Sequence, residues 1–387
     1  MQLDSRQFLT HFAHVLQQEL FPLLRSEVGT LSKEMKLLTA VLTLSPLERF
    51  LSAQRASTGR PAKDRSELAA AFIAKAILNL GTTRDLISRL RVDEPLRRLC
   101  GWPSVKALPH ESKFSRVFAE FAATELPQCL HSAIVATTQK DRLIGHIARD
   151  STAIVARERF PEPAKQKKKA RQSKKKNHAQ PRFQKKKACQ HGTRIQRQRK
   201  QKLAQMLSDL PRQCDIGTKK SSQGYQQYWR GYKLHLDVAD GHVPISAVLT
   251  SASVHDSQAA IPLMTLTSQR VIHLYELMDS AYDADEIHAH SRQLNHVPII
   301  APHRRRGTKK ISQLPKVFPA KPTPELTWAQ LERYAERTMI ERVHARLKDE
   351  FGASQLRVRG PVKVMAHLMF GVLALTVDQW LRLRPPE

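Results

Sequence analysis

The chain has 387 residues, enough for two or three domains at about 150 residues each. Apolar residues make up 41% and charged residues 26%, so a sizeable core is available and wholesale disorder is excluded. Lys and Arg number 64 against 35 Asp and Glu, a formal net charge of +29 that calls for a polyanionic partner.

The four cysteines, Cys100, Cys129, Cys189 and Cys214, form no CxxC pair, and no charged-then-apolar leader opens the chain. A reducing, cytoplasmic setting is the simplest reading. No run of 18 uninterrupted apolar residues occurs, so no membrane partner is expected. The longest candidate, 364–377, contains His367 and reads as a buried helix.

Residues 1–142 read as an all-helical N-terminal domain. Phe8, Phe12, Val15, Leu16 and Leu20 follow the 3.6-residue period, as do Ala69, Phe72, Ile73, Ala76 and Ile77. Gly81-Thr82-Thr83 supplies a stop and a new cap, and a further helix carries Phe114, Val117, Phe118 and Phe121. Short helices with such turns build either a helix-turn-helix or an ordinary bundle; DNA-end binding by this region rests on the charge of the whole chain.

The pattern changes at Leu143, where 143–154 reads as a strand with Asp150 on it or just past its end. A basic insert, 157–224, follows. Within it, residues 165–202 carry 17 Lys or Arg and no acid, a self-repelling stretch that cannot pack a core. Ile195, Leu203, Met206, Leu207 and Leu210 restore helical spacing near its end. Two strands, 232–238 and 243–249, flank Asp240-Gly241, a hairpin signal. A helix through 261–266, a strand over 271–278 ending at Asp279, a helix capped by Asp283 and Glu286, a strand at 297–300 and a long helix over 327–350 complete the series. Gly360-Pro361 opens a last apolar helix. This order predicts an α/β domain over 143–387, a mixed sheet flanked by helices.

Three acids stand where such a sheet brings them together: Asp150, Asp279 and Glu341. Hard oxygen donors of this kind suit Mg²⁺ or Mn²⁺ and phosphoryl chemistry. Each also has an ordinary reading: a turn cap for Asp150, a helix cap for Asp279, and an i−4 pair with Arg337 for Glu341. Along the long helix over 327–350, Tyr334, Arg337, Glu341 and Lys348 fall within an arc of roughly 60°. Met339, Ile340, Val343 and Leu347 lie mostly on the other side.

That four-residue spacing resembles the Tyr-Arg-Glu-Lys signature of bacterial insertion-sequence transposases of the DDE class. Asp150 in Arg-Asp-Ser-Thr and Asp279 in Met-Asp-Ser-Ala-Tyr-Asp resemble that family's first two catalytic acids, and the segments beginning at Gly231 and Ser253 are similar to its members. The resemblance implies an RNase H-like core and Mg²⁺-dependent (or Mn²⁺-dependent) cutting of double-stranded DNA at transposon ends. It further implies joining of the 3′-hydroxyl to target DNA, metal binding by Asp150, Asp279 and Glu341, and a grip on the DNA end by Tyr334, Arg337 and Lys348. A homodimer on DNA and association with the bacterial nucleoid follow from the same likeness. The long basic insert departs from the family pattern.

The insert itself reads as a DNA-backbone binder, insensitive to sequence and sensitive to salt. Tyr225, Tyr228, Trp229 and Tyr232 stand beside Arg230 and Lys233; they either stack on unpaired bases at a cleaved end or pack beneath the insert. On the first reading Trp229, Arg230 and Lys233 are DNA contacts. His178, Cys189, His191 and Cys214 fit no usual zinc-finger spacing. His255-Asp256 reads as support for the acids or as a loop contact. Two alternatives to a transposase remain: a metal-dependent nuclease of the same fold, and a non-catalytic nucleic-acid-binding protein whose acids are structural.

Overall fold

Side-chain caps written into the sequence start several of the helices that precede the sheet. Ser32 accepts the Met35 N–H ahead of α2, and Thr82 and Asp85 form a reciprocal capping box ahead of α5. In the computed structural model the described residues are 12, 14–51, 65–139, 142–158, 192–220, 224–302 and 327–383. The helical part comprises α1 (Phe21–Val28), α2 (Lys33–Leu44), α3 (Leu47–Phe50), α4 (Arg65–Ile77), α5 (Thr83–Val92), α6 (Glu94–Leu99), α7 (Glu111–Ala123) and α8 (Leu126–Gln139). Its centre is aromatic: Phe72 meets Phe114, Phe118, Phe121 and Phe370, with ring centroids 5.0–6.2 Å apart.

The chain then enters β1 (Leu143–Val155) and, after the insert, α9 (Arg194–Gln198) and α10 (Leu203–Asp209). Next come β2 (Asp215–Lys220), β3 (Gln226–Ala239), β4 (Val243–Ser251), α11 (Ser257–Ser268), β5 (Ile272–Met278), α12 (Asp285–Gln293) and β6 (Val297–Ile300). Three helices close the described chain: α13 (Trp328–Ala335), α14 (Thr338–Asp349) and α15 (Pro361–Arg382). The six strands form one mixed sheet in which β4, β3, β1, β5 and β6 lie side by side. β3 runs antiparallel to both β1 and β4, and β5 runs parallel to β1 and β6. This is the mixed sheet flanked by helices that the element order predicts, and it agrees with the RNase H-like core that the resemblance implies. The hairpin at Asp240-Gly241 is present, with Gly241 and His242 both at positive φ.

Strand alternation decides what each face carries. Ala148 and Ile154 of β1 and Leu234, Leu236 and Val238 of β3 share one apolar cluster with Met339, Ile340, Val343 and Leu347 of α14. The apolar stretch 364–377 is the heart of α15, which packs on α2, α4, α7 and α8 as well as on β4. One core therefore joins the helical region to the sheet.

The opposite face of β1 holds charges. Arg149 is fully buried; its Nη2 donates to Asp237 on β3 at 2.6 Å and to Glu276 on β5 at 3.2 Å. Thr267 donates to Asp237 at 2.6 Å and Ser291 to Glu276 at 2.5 Å. Burying three ions costs desolvation that their attraction offsets only while all partners stay in place. At the other end of β3, the chain passes so close to β1 that a Cβ on Gly231 would meet the Ile154 carbonyl oxygen at 2.0 Å. Only glycine fits there.

Three expectations are corrected. The helix over 327–350 is two helices: the Arg337 and Ile340 N–H groups bond three residues back, to Tyr334 and Arg337, so α-helical hydrogen bonding is interrupted between Ala335 and Thr338. Leu331 and Tyr334 pack on Leu277 and Ile299, while Met339 through Leu347 pack on the main core, so each half is anchored to a different part of the sheet. The Asp283–Glu286 capping box does not form; the N-cap of α12 is Ala284, and Asp283 pairs with His288 at 3.2 Å. Strand β2 is an additional element that the apolar pattern did not predict.

Replacing Arg149 by Met leaves Asp237 and Glu276 buried without their cation. Urea denaturation of Arg149→Met should show a loss of about 3–5 kcal/mol. A change within about 1 kcal/mol, as for a surface pair, would show that the cluster does not hold the sheet.

Candidate active site

Asp150 lies within β1, paired with Leu236 across the ladder, one residue beyond the buried Arg149. Alternation turns it to the face covered by α14. Its Oδ1 accepts the Ser151 N–H at 2.8 Å. Asp279 follows the last residue of β5, whose Met278 is paired with Arg149, so the parallel register brings both aspartates to neighbouring strand positions. Asp279 also caps a short 3₁₀ turn, accepting the Ala281 N–H at 2.9 Å. Its cap role and its place at the strand end thus coexist.

The two carboxyl groups feel each other. Burial, followed by the charge of Asp279, pushes the Asp150 carboxyl up to about 7. Burial also raises Asp279, and Asp256 adds to that rise. Asp256 stands at the start of α11. Burial works to raise it, but the charges of His235 and Lys233 and hydrogen bonds from Lys233 and Ser151 leave it below the ordinary value. Asp256 joins the site through Ser151, the residue next to Asp150. Its sequence signal was only the dipeptide His255-Asp256; the contact needs the fold.

Glu341 sits in the first turn of α14, exposed, and pairs with Arg337 at 2.8 Å. Arg337 is more enclosed than its partner. Besides Glu341, Tyr334, Asp150 and Asp279 all favour its charged form, outweighing burial. One guanidinium therefore faces all three acids, bonded to Glu341 and electrostatically coupled to the two aspartates. Tyr334 is half-buried, its ring 5.7 Å from the Arg337 guanidinium carbon, and burial pushes its hydroxyl up to about 12. Lys348 lies two turns further along α14, where burial and then the charge of Lys219 on β2 lower its pKa.

The β3 residues divide. Arg230 is exposed, and its Nη1 reaches the Glu158 carbonyl oxygen at 3.4 Å. The Trp229 indole lies so close over Gly217 of β2 that a Cβ there would be 2.3 Å from the ring, and its N–H donates to the Tyr232 carbonyl oxygen at 3.2 Å. The Lys233 ammonium is engaged by Asp256 and by the Val254 carbonyl oxygen, each at 2.9 Å. Tyr232 is buried and donates to Glu158 at 2.7 Å, whereas Tyr225 and Tyr228 are 72% and 65% exposed. Of the possible zinc set, His178, Cys189 and His191 lie outside the described residues, as does most of the basic insert; Cys214 is half-buried beside the main core.

Asp150 and Asp279 are crowded and partly buried, and Arg337 links them to the exposed Glu341; carboxylate oxygens are donors of the kind that Mg²⁺ or Mn²⁺ takes. A helical region followed by a mixed six-stranded sheet of this order, flanked by helices, defines an RNase H-like fold of the DDE type. The model of the transposase DDE domain family matches residues 142–377, and that of a second transposase domain, DUF772, matches residues 26–120. The chain belongs to the transposase DDE domain family. No curated protein and no solved structure matches it.

Because burial raises the folded-state pKa of Asp150 from 3.8 to about 7, its contribution to stability is complete below 3.8 and is lost as pH rises through about 7. In chelator-treated buffer, Asp150→Asn should therefore melt roughly 2–6 °C above wild type at about pH 8 and close to it at about pH 4. Equal melting temperatures at both pH values would contradict the buried, charge-crowded position of Asp150.

Proposed function

We propose that this transposase cuts the ends of its own element and joins the freed 3′-hydroxyl to target DNA. The family makes the chain a DNA transposase; the coupling of Asp150 to Asp279, with Arg337 facing both, is the observation that supports the finer reading. Asp150, Asp279 and Glu341 would hold two Mg²⁺ or Mn²⁺ ions, which supply activation of the attacking oxygen and neutralisation of the leaving one.

The chain's own residues do the positioning. Arg337 occupies the centre of the acids and offers a guanidinium to a phosphate that displaces its bond to Glu341. Tyr334 presents a polar hydroxyl on a half-buried ring beside it, and Lys348 extends the cationic line along α14 toward Lys219. Arg230 and the exposed Tyr225 and Tyr228 provide a second contact region, where rings stack on bases opened at a cut end. Trp229 and Lys233 support this region from within, by their contacts to Gly217 and Asp256. The helical region 1–142 and the basic insert 157–224 are assigned to DNA-end and backbone binding. Two copies acting on two ends make the working unit a homodimer on DNA, in the bacterial cytoplasm at the nucleoid.

Cleavage of labelled element ends, measured beside binding to the same DNA, tests this reading. Asp279→Asn should reduce cleavage by more than about 100-fold while binding stays near wild type. Normal cleavage by the variant would remove Asp279 from the chemistry and favour a structural role for the acids.

A further inference from the structure

A second candidate metal centre lies at the opposite end of β5. His273 stands one residue into the strand, six residues before Asp279, or about 20 Å along an extended chain. His296 immediately precedes β6, which runs alongside. The two imidazoles face each other with ring centroids 3.6 Å apart and planes tilted by 33°. Both converge on one oxygen. Glu276 Oε1 is 3.5 Å from His273 Nε2 and 3.8 Å from His296 Nδ1.

These separations are long for hydrogen bonds. They are close to the edges of a tetrahedron around Zn²⁺, where bonds of about 2.0–2.1 Å set neighbouring donors about 3.3–3.4 Å apart. His296 Nδ1 is buried, 3.8 Å from Glu276 Oε1 and without a hydrogen-bond partner. The side chains of His273, Glu276 and His296 are 0%, 0% and 8% exposed, so water does not satisfy them readily. Glu276 Oε2 accepts from Ser291, while Oε1 accepts from Arg149 at 3.2 Å and faces both imidazoles.

We propose that His273, Glu276 and His296 form a structural Zn²⁺ site that clips the start of β5 to the start of β6. Two imidazoles and one carboxylate select Zn²⁺ over Mg²⁺, which prefers oxygen donors. Binding requires the facing rings to swing apart so that both nitrogens aim at the ion, with Arg149 keeping its bond to the other lone pair of Oε1. The site is distinct from the Asp150–Asp279 pocket, to which Glu276 connects it through Arg149.

The full chain, loaded with ZnCl₂ and freed of excess by gel filtration, should retain one Zn²⁺ per chain by elemental analysis. Asp279→Asn should retain the same amount, whereas His296→Ala should fall to background. A chelator should lower the melting temperature of wild type, added ZnCl₂ should restore it, and Co²⁺ in place of zinc should give the visible absorption of a tetrahedral site. Wild type that retains no zinc, or whose melting is indifferent to both chelator and ZnCl₂, would overturn the proposal. So would loss of zinc in Asp279→Asn, or full retention in His296→Ala. If His296→Ala does not fold, the wild-type chelation and Asp279→Asn arms decide.

Discussion

The buried guanidinium of Arg149 is the constraint on which the position of the acids depends. Its shared hydrogen bonds to Asp237 and Glu276 tie the central strand to both of its neighbours, one antiparallel and one parallel. Slipping either strand by one residue would place a carboxylate on the wrong face and leave an ion buried without a partner. Ladder hydrogen bonds tolerate such a slip much better, because every residue carries the same donor and acceptor. Asp150 is the next residue after Arg149, and Asp279 is the third after Glu276. Fixing the cation therefore fixes both acids, from the other side of the sheet.

That arrangement separates two electrostatic tasks. On one face a charge cluster is largely compensated and encloses itself. On the other, Asp150 and Asp279 are crowded together, moderated by the shared Arg337 and by backbone N–H groups of Ser151 and Ala281. A site that raises the pKa of its own carboxyl groups is poorly satisfied by itself and well suited to a cation or to a phosphate that brings one. The break between α13 and α14 serves the same end. It lets Tyr334 pack on β5 and β6 while Glu341 remains on the helix that covers β1 and β3.

Much of this was legible in the residues. The Asp240-Gly241 hairpin, the strands that follow it and the closing apolar helix all carry local signals: strand-length apolar runs, a turn dipeptide, a Gly-Pro start. Strand β2 was not legible, because its pairing with the outer part of β3 exposes side chains such as Ile216 and Tyr228 and leaves no apolar alternation to read. The helix break was hidden because it arises from two tertiary anchors; residues 327–350 contain no proline or glycine. The ion cluster was hidden for a related reason. Asp237 and Glu276 look like solvated strand residues until the fold shows Arg149 between them.

Two carboxylates converging on shared divalent ions are the centre of the account. Crystals of the protein with cleaved end DNA, soaked in MnCl₂ and measured at the manganese absorption edge, give the most direct reading. The account predicts anomalous density bounded by Asp150, Asp279 and Glu341 and by a phosphate of the DNA end. Density that avoids Asp150 and Asp279, with DNA bound and the phosphate in place, would contradict it.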